Sequence, residues 1–279
     1  MADSFPLVLD DIRSTLSSAS FGHRLHLHQE LTSTNTEAMS LAQAGAVHGT
    51  VVIAESQSSG KGRRTRNWFS PPGVNVYCSI VVRGMKRVGP LSEWLSWVPL
   101  TSALAVSEAV QNTTGIPLAL KWPNDLLFHE RKVGGILCES AHMSAEDPVV
   151  VIGIGLNVNV PRTAFPEDLH QTATSLFDIS GRLLDRNRLI AQLLTELEQE
   201  IEELSAHGPD RLRIAYTARC HTLGRHVRLL LGEDRELRGT AESISADGAL
   251  QVRPFPVSPT APPPPLLDIR AADVIHLRE

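Results

Sequence analysis

The pattern of apolar and polar positions in the first eighty residues predicts a strand–helix–strand unit followed by a loop and a further strand. Residues 23–28 alternate strictly, which predicts a strand, and the capping residues that follow predict a helix over 34–44. β-branched runs at 50–55 and 75–82 predict two further strands joined by a glycine-containing loop. Ser33 is therefore expected at a strand-to-helix junction.

The middle of the chain is richer in predicted strands than in helices. Residues 91–111 are apolar on most sides, which predicts a buried helix that begins near Pro99 and ends at Gly115. Apolar positions between 187 and 204 fall on one helical face with glutamates opposite, so an amphipathic helix packs on the sheet there. The strand candidates between the two helices are 118–122 with a continuation at 126–128, 132–139 and 149–159.

After Cys220 the pattern changes to closely spaced β runs without a long helix. Hairpin signals at 232–234 and 247–248 separate them, as expected for a small barrel-like β domain. A proline-rich insert at 253–265 cannot be a central strand and predicts a stiff surface excursion, although a proline-reading partner is the alternative. The β runs are 227–231, 237–244, 250–252 and 267–277.

These elements predict an α+β protein with two domains. Residues 1–220 would form a mixed central β-sheet flanked by helices, and residues 221–279 the small β-barrel domain. A chain of 279 residues with 42% hydrophobic residues is long enough for one large core and one smaller unit.

Composition excludes several classes of protein. The formal net charge is -5, so no protein-wide field attracts nucleic acid or an anionic membrane. No apolar run reaches transmembrane length, and the N-terminus lacks the features of a secretory signal. Three widely separated cysteines, Cys78, Cys138 and Cys220, are expected to be reduced thiols. A cytoplasmic protein with no membrane partner is expected.

The stretch Gly60–Trp68 (GKGRRTRNW) is the strongest chemical signal in the chain. Its glycines let the backbone approach a ligand closely, and its cations favour an anion, most naturally a phosphate. Taken alone, such a basic run is more often a nucleic-acid or targeting patch, but the glycines, the flanking strands and Trp68 favour a local anion site. It is not a phosphate-binding P-loop, because Glu55 occupies the position of the first glycine.

Three further segments carry candidate chemistry. Ser33-Thr34-Asn35 can hydrogen-bond a neutral polar group such as a urea, although alone it would only cap a helix. Residues 121–125 (KWPND) hold a cation and a carboxylate around a proline, and 131–137 (RKVGGIL) follow. Residues 153–159 (GIGLNVN) lack the third glycine of a dinucleotide fingerprint. His26 and His28 share a strand face, but the sequence offers them no cysteine or carboxylate partner for a metal.

The chain resembles the biotin–protein ligase family in four motifs that occur in the family's order, at 60–68, 121–125, 132–137 and 153–157. The similarity spans roughly 33–159 and resumes at 248–250 and 274–278. Two residues of the basic loop depart from the family pattern. Lys61 stands where the family usually has arginine, which keeps the charge. Thr65 stands where it usually has glycine, so the loop is expected to close differently or more slowly. Asp273 also replaces a glycine-led turn before the last strand.

The resemblance implies a fold and an activity. The fold is a class II synthetase-like catalytic domain with a small C-terminal SH3-like β-barrel. The activity is that of a biotin–[biotin carboxyl-carrier protein] ligase, with ATP and Mg²⁺ as cofactors and biotin as substrate. Biotin would attack the α-phosphorus of ATP to form biotinoyl-AMP, and a lysine of a biotin carboxyl carrier protein would then displace AMP. Such steps need positioned positive charge and no protein nucleophile.

The resemblance also implies roles for single residues. Lys121 would bridge the biotin carboxyl oxygen and the α-phosphate as the main catalytic residue, with Arg63 and Asp125 beside it. Mg²⁺ would be carried mainly by the ATP phosphates; Asp125 would either help to hold it or steer the incoming lysine. The biotin-binding candidates are Ser33, Thr34, Asn35, Gln57, Gly60, Lys61, Arg63, Lys121, Gly134 and Gly135. The ATP-binding candidates are Arg63, Arg64, Arg66, Trp68, Lys121 and Asn157.

Two other functions compete with this one. A lipoate or octanoate ligase or transferase on the related fold shares the acceptor-lysine chemistry, and ligand choice would separate it from a biotin ligase. A biotin-responsive DNA-binding repressor would need a winged helix, for which the roughly thirty residues before Ser33 are too few. We therefore expect no specific DNA binding, while a homodimer through an exposed sheet edge stays open.

Overall fold

The computed structural model describes residues 6–143, 148–231, 235–256, 258 and 262–277, with residues 141–143 described by their backbone alone. The predicted hairpin at 232–234 lies outside the described residues, as do residues 257 and 259–261 of the proline-rich insert.

Six helices and twelve strands make up the described part of the chain. In order they are α1 (Leu9–Thr15), β1 (Arg24–Leu31), α2 (Thr34–Gln43), β2 (Thr50–Gln57), β3 (Val76–Val82), α3 (Leu91–Thr114), β4 (Ala119–Lys121), β5 (Asp125–Phe128), β6 (Arg131–Met143), β7 (Pro148–Leu156), α4 (Leu176–Ser180), α5 (Arg186–His207), α6 (Asp210–Arg219), β8 (His226–Leu230), β9 (Glu236–Ile244), β10 (Leu250–Pro254), β11 (Leu267–Ile269) and β12 (Asp273–His276).

The first seven strands form one mixed sheet in the order β1-β2-β3-β7-β6-β5-β4. The β1–β2 pair is parallel and the other pairs are antiparallel. Successive strand side chains point to opposite faces, so Val51 and Ile53 join the core under α3 and α5, while Val52 packs with Ala38 and Ala42 of α2. Helices cover both faces, which confirms the predicted α+β class with its mixed central sheet.

The last five strands form a second, antiparallel sheet in the order β11-β10-β9-β8-β12. The Asp247-Gly248 signal marks the β9–β10 hairpin, with Gly248 at a φ of 80°. The predicted run 267–277 is two strands at opposite edges of this sheet, interrupted at 270–272. The separate C-terminal β unit is confirmed, but within the residues that the structure describes the sheet does not close into a barrel.

The prediction that α3 begins near Pro99 is wrong, because the helix begins at Leu91. A proline removes one helical hydrogen bond, but packing upstream of it holds the first two turns. Trp94 Nε1 donates to Ser205 Oγ (2.9 Å) and Trp97 Nε1 to the carbonyl of Ala246 (2.7 Å), and both rings are buried. The helix ends as predicted at Gly115, whose φ is 79°.

The strand candidate at 118–122 and its continuation at 126–128 form a hairpin instead of one strand. β4 and β5 pair antiparallel, and the turn between them contains the cis peptide bond Trp122–Pro123. This turn brings Lys121 and Asp125 opposite one another. Among the described helices, none combines the length and apolar character needed to cross a bilayer.

Candidate active site

Two adjoining cavities lie where the basic loop covers the first sheet. We call the cavity of about 50 Å³ the slot and the cavity of about 430 Å³ the large cavity. Predicted site residues that line the slot are Ser33, Thr34, Asn35, Gln57, Lys61, Arg63, Trp68 and Gly135. Those that line the large cavity are Arg63, Arg66, Trp68, Lys121, Asp125 and Asn157. Both cavities share Gly62, Arg63, Trp68, Asn124 and Lys132.

The polar wall of the slot is built at the β1–α2 junction. Ser33 is the N-cap of α2, but its hydroxyl makes no capping bond, which leaves it for the slot. The backbone N–H of Thr34 donates to Gln57 Oε1 at 2.9 Å, and Gln57 Nε2 donates to Ser70 Oγ at 3.0 Å. The amide of Gln57 is therefore held at both ends.

Glycines on β7 let the polar groups approach the sheet. A Cβ atom on Gly153 would lie 2.0 Å from Asn35 Oδ1, and one on Gly155 would lie 2.6 Å from the Trp68 ring. Both glycines face the same side of the strand because they are two residues apart. The glycines at 153 and 155 thus serve a close approach of side chains to backbone, which explains the spacing without a dinucleotide.

The basic loop is a tight hairpin. The Trp68 N–H donates to the carbonyl of Gly60 (2.8 Å), and the Gly62 N–H donates to the carbonyl of Arg66 (2.7 Å). The backbones of Lys61 and Asn67 form an isolated antiparallel β-bridge. Thr65 has a φ of 62°, a left-handed conformation that a β-branched side chain rarely adopts. The departure from glycine at position 65 therefore falls where the backbone does need a positive φ.

Three loop arginines contact neighbouring elements. Arg63 donates to Asn124 Oδ1 (3.0 Å) and to the carbonyl of Ala272 (3.4 Å). Arg64 donates to the carbonyl of Leu230 (2.9 Å), and both Arg64 and Arg66 pair with Asp273. Asp273 and these carbonyls belong to the second sheet or its loops, so the C-terminal unit holds the loop in place.

Two lysines bring positive charge to the cavities. Lys132 Nζ lies 2.6 Å from Asp125 Oδ1 and 5.2 Å from the Trp68 ring centroid, at the boundary of the two cavities. Burial lowers the pKa of Lys121; Asp125 opposes this shift and Lys132 adds to it. Burial also lowers the pKa of the Arg63 guanidinium. An anion in the cavities would relieve these costs, since opposite charge favours the protonated forms.

Some predicted residues lie apart from the linings. Arg64 belongs to the basic loop, but its side chain reaches the second sheet. Gly60 and Gly134 lie outside the slot lining, and an added Cβ atom would approach Ser70 Oγ (2.6 Å) or Leu156 Cδ1 (2.9 Å), respectively. The sequence motifs indicate no role for Lys132, although this residue lies in the candidate segment at 131–137. They also miss the polar residues Asn124, Ser79 and Glu139.

Asn157 and the acidic residues of the large cavity are the candidates for contacts with a nucleotide and a metal ion. Asn157 Nδ2 donates to the carbonyl of Thr174 (3.1 Å), so its side chain is fixed at the wall of the large cavity. No cluster of three or more His, Cys, Asp or Glu side chains fit to hold a metal occurs in the described part of the chain. Three carboxylates line the large cavity, and each is paired with a cation: Asp125 with Lys132, Asp273 with Arg64 and Arg66, and Glu130 with Arg225. This donor set fits Mg²⁺ carried by phosphates better than a protein-bound ion.

Comparison with known proteins agrees with this geometry. The family model described as the biotin/lipoate A/B protein ligase family matches residues 27–157, and that of the biotin protein ligase C-terminal domain matches residues 222–253. The biotin protein ligase from Aquifex aeolicus, solved in complex with biotin and ATP, has a TM-score of 0.74 and 27% identity over 92% of this chain and 100% of that chain.

Two curated relatives are similar over most of the chain. The bifunctional ligase/repressor BirA of Bacillus subtilis is 34% identical over 86% of this chain and 72% of its own length. The biotin–[acetyl-CoA-carboxylase] ligase of Mycobacterium tuberculosis is 36% identical over 98% of this chain and 97% of its own length. At this identity and coverage, the chain belongs to the biotin–protein ligase family.

Proposed function

We propose that the chain is a biotin–protein ligase, which activates biotin with ATP and transfers it to a lysine of a carboxylase's biotin carrier. One observation carries this function: the slot and the large cavity share Arg63, Trp68 and Lys132. A ligand whose neutral head fills the slot directs its carboxylate to the cations that also face a phosphate in the large cavity. The curated ligase from Mycobacterium tuberculosis and the solved structure from Aquifex aeolicus support the same activity.

In the first step a biotin carboxylate oxygen attacks the α-phosphorus of ATP. The new P–O bond forms as the bond to the β-phosphate oxygen breaks, which gives biotinoyl-AMP and pyrophosphate. The protein's contribution is positioning and charge: Arg63, Lys121 and Lys132 face the oxygens on which negative charge develops. Mg²⁺, carried with the triphosphate, supplies further positive charge when bound.

In the second step the amine of the acceptor lysine attacks the acyl carbon of the mixed anhydride. The C–N bond forms as the acyl C–O bond to the phosphate breaks, AMP leaves with that electron pair, and the proton of the attacking amine passes to solvent. Asp125 is the carboxylate of the large cavity that we assign to steering the incoming ammonium, in exchange with Lys132. A closed basic loop protects the anhydride from water between the two steps.

Neutral and charged halves of the site receive different parts of the substrates. We assign the ureido head of biotin to Ser33, Thr34, Asn35 and Gln57, with Gly60, Lys61, Gly134 and Gly135 shaping the slot around it. We assign the phosphates to Arg63, Arg66 and Lys121, together with Arg64 once its side chain leaves the carbonyl of Leu230, and the adenine to Trp68 and Asn157.

The slot disfavours lipoate or octanoate as the natural substrate. A dithiolane ring or an alkyl chain would give no hydrogen bond to the buried Ser33 hydroxyl, which makes no capping bond in the protein, and a buried group without a partner is costly. A urea satisfies it. The biotin ligases among the relatives support the same choice.

We propose that the enzyme does not bind operator DNA, although the relative from Bacillus subtilis is described as a repressor. The net charge of -5 and the engagement of the loop arginines within the protein support this. Salt-sensitive, sequence-specific retention of a promoter fragment would contradict it. A homodimer is supported only by the edge position of β1, and sedimentation with and without biotin would test it.

We also propose that residues 1–220 and 221–279 act as a catalytic unit and a C-terminal unit. The second sheet starts just after this boundary, at His226, and its edge strand carries Asp273 to the basic loop. The C-terminal unit would therefore hold the loop over the substrates. Loss of adenylation in a chain cut at the boundary, with restored activity when both pieces are mixed, is the expected result.

Biotin-dependent exchange of labelled pyrophosphate into ATP tests the proposed function. We expect exchange with biotin, none without it, and at most a trace with lipoate or octanoate. Transfer is then followed by mass spectrometry on a purified biotin carrier domain, with its acceptor Lys→Arg variant as the control. Exchange supported by lipoate or octanoate alone would assign the chain to the related fold's other activity.

A further inference from the structure

A chain of hydrogen bonds, part-buried at Glu139 and fully buried at Ser79, runs beside the slot from β6 to α2. Asn35 Nδ2 donates to Glu139 Oε2 (2.7 Å) and to the carbonyl of Leu137 (3.1 Å). Asn35 Oδ1 lies 2.6 Å from Ser79 Oγ, and Ser79 Oγ lies 2.8 Å from Thr34 Oγ1. Glu139 and Ser79 lie outside the slot lining, so a ligand meets their effect only through Asn35 and Thr34.

The direction of this chain follows from a count of hydrogens. A carboxylate and a carbonyl can only accept, so both hydrogens of the Asn35 amide point to Glu139 and Leu137. The amide oxygen then accepts the single hydrogen of Ser79. A flipped amide would place Oδ1 against the two acceptors of Glu139 and Leu137, so the hydrogen-bond partners fix the orientation of the Asn35 amide.

The last member of the chain is left as an acceptor. Because Ser79 has given its hydrogen to Asn35, its oxygen accepts from the hydroxyl of Thr34, for which Gln57 Oε1 at 3.2 Å is the competing acceptor. Both acceptors lie in the wall, so the Thr34 hydrogen is used there and its lone pairs face the slot. Aligned hydrogen bonds that end on a carboxylate also polarise one another.

We propose that Glu139, Asn35 and Ser79 form a relay that fixes the Thr34 hydroxyl as an acceptor and so selects ligands with a ring N–H at that point. This inference rests on the proposed biotin site and deepens it. The selected class is the cyclic urea; the rejected class is the cyclic carbamate, in which oxygen replaces that N–H. Ser79 is fully buried and Thr34 is 4% exposed, so water does not relieve a mismatch.

The test measures dissociation constants for biotin and for the two carbamate analogues in which oxygen replaces one or the other ring N–H. Wild type should prefer biotin to one of the two analogues by about 10- to 100-fold, since an acceptor would there face an oxygen. Thr34→Val should abolish most of this ratio. Ser79→Ala should lower it about fivefold, because only the longer contact to Gln57 Oε1 (3.2 Å) then holds the Thr34 hydrogen away from the slot. Glu139→Gln should lower it about twofold, because the chain then ends on a neutral group and is less polarised.

A purely structural role predicts a different result. Ser79→Ala would then weaken biotin and both analogues equally and leave the ratio unchanged, which would overturn the relay. Equal affinity of wild type for biotin and both analogues would overturn it as well. Ser102→Ala is the matched control, because Ser102 is a fully buried serine of α3 that bonds the carbonyl of Val98 (2.7 Å), away from the slot. Failure of wild type to bind biotin at all would instead reject the proposed function.

Discussion

The slot and the large cavity hold their polar groups in opposite ways. Thr34, Asn35 and Ser79 are buried, and their hydrogen bonds join elements of one sheet and its covering helix. The side chains of Arg64 and Arg66 are 35% and 65% exposed and reach from the loop to the second sheet. One wall is buried and neutral, and the other is more exposed and charged.

This difference matches what each ligand part requires. A neutral head gives modest hydrogen bonds that count only when every partner is already in place. A polyphosphate attracts cations over longer distances and tolerates their movement. Within the protein the cations pair with carboxylates, Lys132 with Asp125 and Arg66 with Asp273. A bound phosphate must therefore replace the carboxylate partners of these cations.

Loss of a cation shared by the two cavities should have the largest effect. Lys132→Ala removes charge at their boundary, and we expect biotin-dependent pyrophosphate exchange to fall by about 100- to 1,000-fold. Lys121 lines only the large cavity, so the loss of exchange in Lys121→Ala should be about tenfold smaller. Lys86→Ala, an exposed lysine, is the control. A larger loss in Lys121→Ala would return the main catalytic role to Lys121, as the resemblance implies.

Filling the space above β7 should damage the neutral side alone. In Gly153→Ala the new methyl group would displace Asn35, and we expect the KM for biotin to rise about 10- to 100-fold while the KM for ATP stays within about twofold. Gly155→Ala displaces Trp68, which lines both cavities, and should raise both constants. If Gly153→Ala raised the two KM values equally, the two sides would not be separable.

The fold was predictable where periodicity alone decides it. The strands of the first sheet and α5 follow directly from the alternation and helical spacing of apolar residues. The start of α3 was not, because the burial of Trp94 and Trp97 against distant residues outweighs the local signal of Pro99. The break at 270–272 was missed for a related reason: the two halves of an apolar run pair at opposite sheet edges.

The site residues also divide into those that a local motif reveals and those that depend on distant contacts. Ser33, Thr34 and Gln57 carried a signal because their short motifs lie in loops or at strand ends. Ser79 and Glu139 lie in strands that resemble apolar runs, and the contacts that connect them to the slot wall come from over forty and over one hundred residues away. Their place in the wall required the sheet register.

Acid should lower the stability of the folded protein through His276, which lies near Lys121. Burial, with Lys121 and Arg225 nearby, lowers the pKa of His276 to about 4, although Glu130 opposes the shift. Below the ordinary pKa of 6.5 the unfolded chain binds a proton that the folded chain refuses, so stability falls from about pH 6.5 downward and the loss is complete near pH 4. Wild type should therefore lose about 2 kcal/mol more than His276→Asn between pH 7 and pH 5 in urea unfolding. Equal losses would mean that His276 titrates normally.

The smallest effect should come from the contact that joins the basic loop to the second sheet. Asp273→Asn removes the carboxylate partner of Arg64 and Arg66, and a largely exposed pair of this kind is worth up to about 1 kcal/mol. Proteolytic cleavage within residues 60–67 should accelerate about two- to fivefold without ligands, because the loop opens more often. Asp268→Asn on the same sheet should leave the rate unchanged. With biotin and ATP present the difference should vanish, since phosphates then hold the arginines. A difference that persists with both ligands bound would mean that Asp273 stays paired during catalysis, and the charged wall would then keep its internal partners as the neutral one does.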